Sequence, residues 1–165
     1  MMGSIGVKKT VITANHASRE FLHKLNEMRW NKALVDVSLT GDNESWVEGG
    51  TKEILAHKLL LCGCSQYFNT LFGSHWDTGS DAKEPGSIDR VHVGGVTHDS
   101  LKLLVDFMYK GLIEISEENA ADILVAADLL LMERLKDAIC KFMQTIICAA
   151  NCVFISKLAD IYSCR

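Results

Sequence analysis

The chain has 165 residues, of which 48% are hydrophobic and 23% charged, proportions that fit one globular domain with its own core and exclude a disordered chain. The chain has 17 Lys and Arg against 21 Asp and Glu, which gives a net charge of −4. This charge argues against binding to nucleic acid or to an anionic membrane, since both need a basic protein surface. No apolar run reaches the ~18 residues needed to cross a bilayer.

The amino-terminal half predicts a helix, a hairpin and two short helices. The first helix carries one apolar stripe, formed by Phe21, Leu22, Leu25 and Met28 at helical spacing. The hairpin strands alternate apolar and polar residues and are separated by a long connection rich in turn residues. The predicted elements of this half are a strand at 7–13, a helix at 16–30, strands at 34–40 and 53–57, and helices at 58–64 and 66–73.

The carboxy-terminal half predicts more helix than strand. It opens on a polar, glycine-rich break at 73–89, and Gly111 later closes a helix as its C-cap. Ser116 is predicted to cap a long helix that has two acidic residues in its first turn. The predicted elements are strands at 90–94 and 112–115 and helices at 98–109, 116–131, 133–148 and from Asn151 onward. This order predicts an α+β fold with a small sheet.

The sequence lacks the motifs of common catalytic and cofactor sites. It has no G-x-S-x-G elbow, no P-loop, no H-E-x-x-H pair and no Rossmann glycine fingerprint. One alternative pairs His57 as a base with Cys62 or Cys64 as a nucleophile, but no third group is evident to orient the histidine. We therefore expect neither enzyme activity nor a cofactor nor a bound metal.

The six cysteines are expected to be reduced and metal-free. Their spacing gives one C-x-C and one C-x₃-C but no pair of C-x₂-C knuckles, which disfavours a structural zinc site. The first nine residues lack the apolar core of a signal peptide. We therefore expect an intracellular protein, in the cytoplasm rather than the nucleus, with thiols kept reduced.

The hairpin and the helices after it resemble a BTB/POZ domain. The residues that carry this resemblance are Val35–Leu39, Ala56–Leu61, Ser65, Tyr67, Phe68, Leu71, Phe72, Val91, Val93, Leu101–Phe107, Tyr109, Gly111 and Ile115. The stretch from Asn151 to Cys164 is similar to the opening of the helical BACK extension of Kelch-like proteins. The resemblance implies an amino-terminal segment with a dimer-swapped strand (1–15), a BTB/POZ domain (16–147) and the start of a BACK-like extension (148–165).

The resemblance implies a homodimer-forming adaptor of the ubiquitin conjugation pathway. Kelch-like members recruit the cullin-3 scaffold of a ubiquitin ligase, while a further carboxy-terminal module holds the substrate protein. The alternative is a self-association module without cullin, either architectural, cytoskeletal or transcriptional. Reactivity toward iodoacetamide would reveal the more distant alternative, a thiol enzyme.

The family's contact surfaces map onto three groups of residues in this sequence. The dimer interface would comprise Val11, Ile12, Phe21, Leu22, Leu25 and Met28, although the stripe alone also fits packing within one domain. A charged pocket would comprise Asp36 and Lys58, with a structural ion pair as the alternative. The cullin-facing surface would comprise Tyr67, Phe68, Leu71, Phe72, Trp76, Asp77 and Thr78, where Thr78 replaces the glutamate that ligase-type members often carry.

Overall fold

The strands form a three-stranded mixed sheet in the computed structural model, which describes residues 15–42, 53–73 and 87–164. The central strand β1 (Val37–Asp42) pairs antiparallel with β2 (Ile54–Ala56) and parallel with β3 (Asp89–Thr97). The predicted hairpin is thereby confirmed as a β1–β2 pair. The strand predicted at 7–13 lies outside the described residues.

The described ranges contain seven helices, and with the small sheet they confirm the predicted α+β class. Four of the helices lie beyond β3, so the carboxy-terminal half is mostly helical, as its sequence predicts. The helices are α1 (Asn15–Trp30), α2 (Lys58–Cys64), α3 (Gln66–Gly73), α4 (His98–Lys110), α5 (Ala120–Leu129), α6 (Glu133–Thr145) and α7 (Cys152–Ile161).

Helix α4 is the centre of the core, because it packs against β1, α1, α2 and α5. Its buried residues Leu101, Leu104 and Val105 follow the helical period. Thr97 caps its start by accepting a hydrogen bond from the Ser100 N–H at 3.3 Å. Gly111 ends it in the left-handed conformation (φ 67°), so the predicted C-cap is confirmed.

Two predicted elements after α4 differ from the structure. No strand forms at 112–115, because no described strand pairs with this segment, and Ile113 and Ile115 pack on the core from a loop. Helix α5 begins at Ala120 rather than after Ser116. The side chain of Asn119 accepts from the Ser116 N–H at 2.8 Å and thus holds the preceding turn.

The cysteines do not all remain thiols. Cys140 on α6 and Cys164 after α7 form a disulfide, with their Cα atoms 5.6 Å apart, so the prediction of six reduced cysteines is wrong for this pair. Spacing along the chain gives no hint of this bond, because helix packing brings the two residues together. The remaining four cysteines, Cys62, Cys64, Cys148 and Cys152, are free.

Candidate protein-interaction surfaces

Helix α1 presents the predicted apolar stripe in two parts. Phe21 is 63% exposed, whereas Leu22, Leu25 and Met28 are half-buried and Leu25 packs against the core. One edge of the stripe therefore packs within the domain, and the Phe21 edge is open to a partner. Val11 and Ile12 of the predicted interface lie outside the described residues.

Arg29 fixes the carboxyl end of α1 to α4. Its buried guanidinium donates to Asp106 Oδ1 at 2.5 Å and lies 4.6 Å from the centroid of the Tyr109 ring, a cation–π contact. Lys110 reaches the other Asp106 oxygen at 3.2 Å. Burial alone would raise the pKa of Asp106, but the hydrogen bonds and charges of Arg29 and Lys110 outweigh it and hold this pKa below its usual value. These contacts thus hold the carboxyl end of α1 against α4 and fix the orientation of the exposed face of α1.

His57 is the buried centre of a second network. Its Nε2 donates to the Ala33 carbonyl at 3.0 Å, which leaves Nδ1 to accept from the Tyr109 hydroxyl at 2.7 Å. The His57 backbone N–H donates to the same hydroxyl oxygen at 2.9 Å. Burial raises the pKa of Tyr109, so its hydroxyl stays protonated and keeps donating. One neutral tautomer of His57 is therefore fully satisfied.

This network assigns His57 a structural position and weakens its interpretation as a catalytic base. Both ring nitrogens are engaged away from the two neighbouring cysteines. Burial raises the pKa of the Cys62 thiol and of the Cys64 thiol, which disfavours the reactive thiolate. Sequence reasoning missed the role of Tyr109, because it lies 52 residues from His57 and no local pattern connects them.

Asp36 and Lys58 are adjacent, but their side chains do not form an ion pair with each other. Asp36 Oδ1 accepts from the Lys58 backbone N–H at 2.8 Å, which satisfies the first turn of α2. The Lys58 ammonium pairs instead with Asp89 at the start of β3, and it lies 5.4 Å from the centroid of the Phe72 ring. The alternative of a structural ion pair between Asp36 and Lys58 is therefore wrong, and the role of the two residues as a charged pocket stays a prediction.

The predicted cullin-facing residues on α3 are half-buried, except for one that lies in the core. Tyr67, Leu71 and Phe72 are half-buried, whereas Phe68 is fully buried and stacks on Phe72 with ring centroids 5.9 Å apart. Phe68 is therefore corrected from a contact residue to a core residue that supports this surface. The predicted contacts Trp76, Asp77 and Thr78 lie outside the described residues.

Several apolar residues that the sequence does not single out as contact residues are exposed in the structure. They are Trp30 at the end of α1, Leu34 after it, Leu59 on α2, and Val153, Phe154 and Ile161 on α7.

Two classes of site are not found within the described ranges. No three His, Cys, Asp or Glu side chains there are grouped so as to hold a metal ion. None of the helices described is both long enough and apolar enough to cross a membrane.

Comparison with known proteins places the chain among protein-interaction domains. A family model for the BTB/POZ domain matches residues 25–147. Human Kelch-like protein 2 is 30% identical over 159 residues, which is 95% of this chain but 24% of that protein. Mouse Kelch-like protein 2 is 31% identical over 140 residues, covering 85% of this chain and 21% of that protein. This chain thus spans about a quarter of the length of these relatives.

Solved structures show the same fold at lower identity. The BTB domain of zebrafish PATZ1 matches with a TM-score of 0.65 and 23% identity, covering 84% of this chain and 99% of that one. The BTB domain of human gigaxonin matches with a TM-score of 0.62 and 22% identity, covering 82% and 98%.

Proposed function

This chain belongs to the BTB/POZ domain family, and from that premise we propose that it homodimerises and acts as the adaptor through which a cullin-3 ubiquitin ligase receives its substrate protein. The similarity to Kelch-like protein 2 over most of the chain carries this proposal. The part of the proposal that concerns substrates depends on segments outside the quarter of the relatives that this chain spans.

The dimer part is supported by the open edge of α1. Phe21 is an exposed aromatic residue beside half-buried leucines, on a helix that Arg29 anchors to the domain. Aromatic anchors flanked by apolar residues are typical of interface cores. The same helix can then pack on its copy across a two-fold axis.

Light scattering tests this interface directly. Phe21→Glu places a charge at the open edge without entering the core, and we expect it to convert a dimer into a monomer at micromolar concentration. Val153→Glu is the matched control, because it puts the same charge on an exposed apolar residue of α7. A single-chain mass for the unmodified protein, or a dimer that persists in Phe21→Glu, would contradict the proposed interface.

The cullin part is tested by calorimetry with an amino-terminal fragment of cullin-3. Trp76→Ala is expected to abolish binding while the dimer mass and the helical circular dichroism stay unchanged. Thr78→Glu restores the residue frequent in ligase-type members and should tighten binding about tenfold, because a charge-assisted hydrogen bond contributes roughly 1.5–3 kcal/mol.

The departure at Thr78 favours one second candidate, a self-association module that does not bind cullin. The two candidates differ in one measurement. If the unmodified dimer shows no heat of binding at ~100 μM cullin-3 fragment, a concentration at which weak complexes still form, the adaptor proposal fails and the self-association module replaces it.

A further inference from the structure

A tight reversal after α7 returns the chain to α6. Ser163 adopts the left-handed conformation (φ 53°), and the Cys164 N–H donates to the Ala159 carbonyl at 2.9 Å. This turn places the Cα of Cys164 5.6 Å from that of Cys140, inside the range that disulfides need. The two cysteines are 24 residues apart, so the bond closes α7 and both of its connections into one covalent loop.

Helix α7 has few other attachments. Ile155 is its buried residue, while Val153, Phe154 and Ile161 remain exposed. Its start is held by Asn151, whose side chain accepts from the Cys148 N–H at 2.7 Å and donates to the Ile146 carbonyl at 2.8 Å. The end of α7 depends on the half-buried Leu158 and Tyr162 and on the disulfide. Reduction of the Cys140–Cys164 disulfide therefore removes the covalent link between the end of α7 and α6.

We propose that Cys140–Cys164 is a reversible redox-modification site, exchanged by glutathione-class thiols, whose bonded form fixes α7 on α6. The inference does not rest on the proposed adaptor function. Cys140 lies within the residues that match the BTB/POZ family model and Cys164 lies beyond them, so the bond couples the domain to the helix that follows it.

The exchange begins at the more accessible sulfur. Cys140 is 4% exposed and Cys164 is half-buried, so the incoming glutathione thiolate attacks Cys164 Sγ and expels the Cys140 thiolate, which takes up a proton. A second glutathione thiolate attacks the glutathione sulfur of the mixed disulfide and releases Cys164. The protein disulfide gains two electrons, and two glutathione thiols become one glutathione disulfide.

An open polar cleft is lined by residues next in sequence to both cysteines. It has a volume of about 500 Å³ and is lined by Lys141 and Ser163, the sequence neighbours of the two cysteines, together with Glu133, Lys136 and Asp137.

Thiol counting after denaturation tests whether the bond forms and breaks. Protein equilibrated with oxidised glutathione and then freed of it should titrate four thiols, and the same protein treated with excess reduced glutathione should titrate six. Peptide mapping should assign the missing pair to Cys140 and Cys164. Six thiols under the oxidising condition, or a different bonded pair, would overturn the proposal.

Hydrogen exchange tests the consequence for α7. The bond restricts the unfolded segment, so reduction should speed amide exchange across Cys152–Ile161 by about tenfold or more, with little change in α4. Cys164→Ala should exchange at the fast rate with or without reductant, and it leaves the buried Cys140 in place. Cys152→Ala, the matched control, should keep the response to reductant. Equal rates in the oxidised and reduced protein, or a response retained in Cys164→Ala, would overturn the proposal.

Discussion

Replacing Tyr109 with phenylalanine removes one hydroxyl and preserves the ring that packs beneath Arg29. That hydroxyl accepts from the His57 N–H at 2.9 Å and donates to His57 Nδ1 at 2.7 Å. Each buried hydrogen bond contributes roughly 1 kcal/mol, and a buried donor left without a partner costs about 1–3 kcal/mol. We therefore expect Tyr109→Phe to lower the free energy of unfolding by about 3 kcal/mol, a large part of the 5–15 kcal/mol typical of a domain.

The loss should appear in both thermal and denaturant unfolding. A change of this size corresponds to a melting temperature lower by about 6–12 °C for a chain of this length. Tyr67→Phe is the matched control, because its hydroxyl makes no hydrogen bond in the described ranges, and we expect a change within about 0.5 kcal/mol. Equal stabilities of Tyr109→Phe and the unmodified protein would refute the conclusion that the hydrogen bonds between Tyr109 and His57 stabilise the fold.

Three further substitutions probe other features. Asp106→Asn should lower the free energy of unfolding by about 3 kcal/mol at pH 7, since it leaves the buried Arg29 charge uncompensated. The pKa of Asp106 is lowered in the folded state, so its carboxylate stabilises the fold above the unfolded pKa of about 4. The difference in urea midpoint between the variant and the unmodified protein should therefore shrink as the pH falls below about 4. Gly41→Ala should destabilise by about 1–3 kcal/mol in chemical unfolding, because its Cβ would lie 2.8 Å from the Val96 carbonyl oxygen. Thr97→Ala should cost about 1 kcal/mol by calorimetry through loss of the α4 cap, whereas Thr97→Ser should not.

The elements that the sequence predicts well are those whose determinants are local. Helix α4 has a helical period of leucines and is closed by Gly111, and both predicted features lie within the helix or directly beside it. The segment at 112–115 shows the opposite case, since its alternation fits a strand but strand formation depends on a neighbour elsewhere in the chain. The local sequence pattern therefore predicts which type of element a segment can form, and pairing with distant residues decides whether a strand forms.

The candidate surfaces were predictable only as far as a family pattern reached. The stripe on α1 follows from spacing, but the division into a packed edge and the open Phe21 edge depends on how α4 lies against it. The family pattern assigns Phe68 to the cullin-facing surface, although α3 turns its side chain into the core. The Cys140–Cys164 bond has no sequence signature, because it depends on a reversal at a single left-handed serine.

The long sequence separation of the anchoring contacts has a consequence for how the chain acquires its structure during synthesis. Arg29 and Asp106 are 77 residues apart in sequence, and the β1–β3 pairing joins Val37 to Asp89, more distant along the chain than the β1–β2 pair. The amino-terminal segments therefore leave the ribosome before the residues that cover their apolar faces have been synthesised. Contacts between residues so far apart in sequence also slow folding. An amino-terminal fragment ending before α4 would lack the helix on which α1, β1 and α2 all pack. We expect such fragments to aggregate or be degraded, whereas translation beyond Lys110 supplies the partner that makes the first half stable.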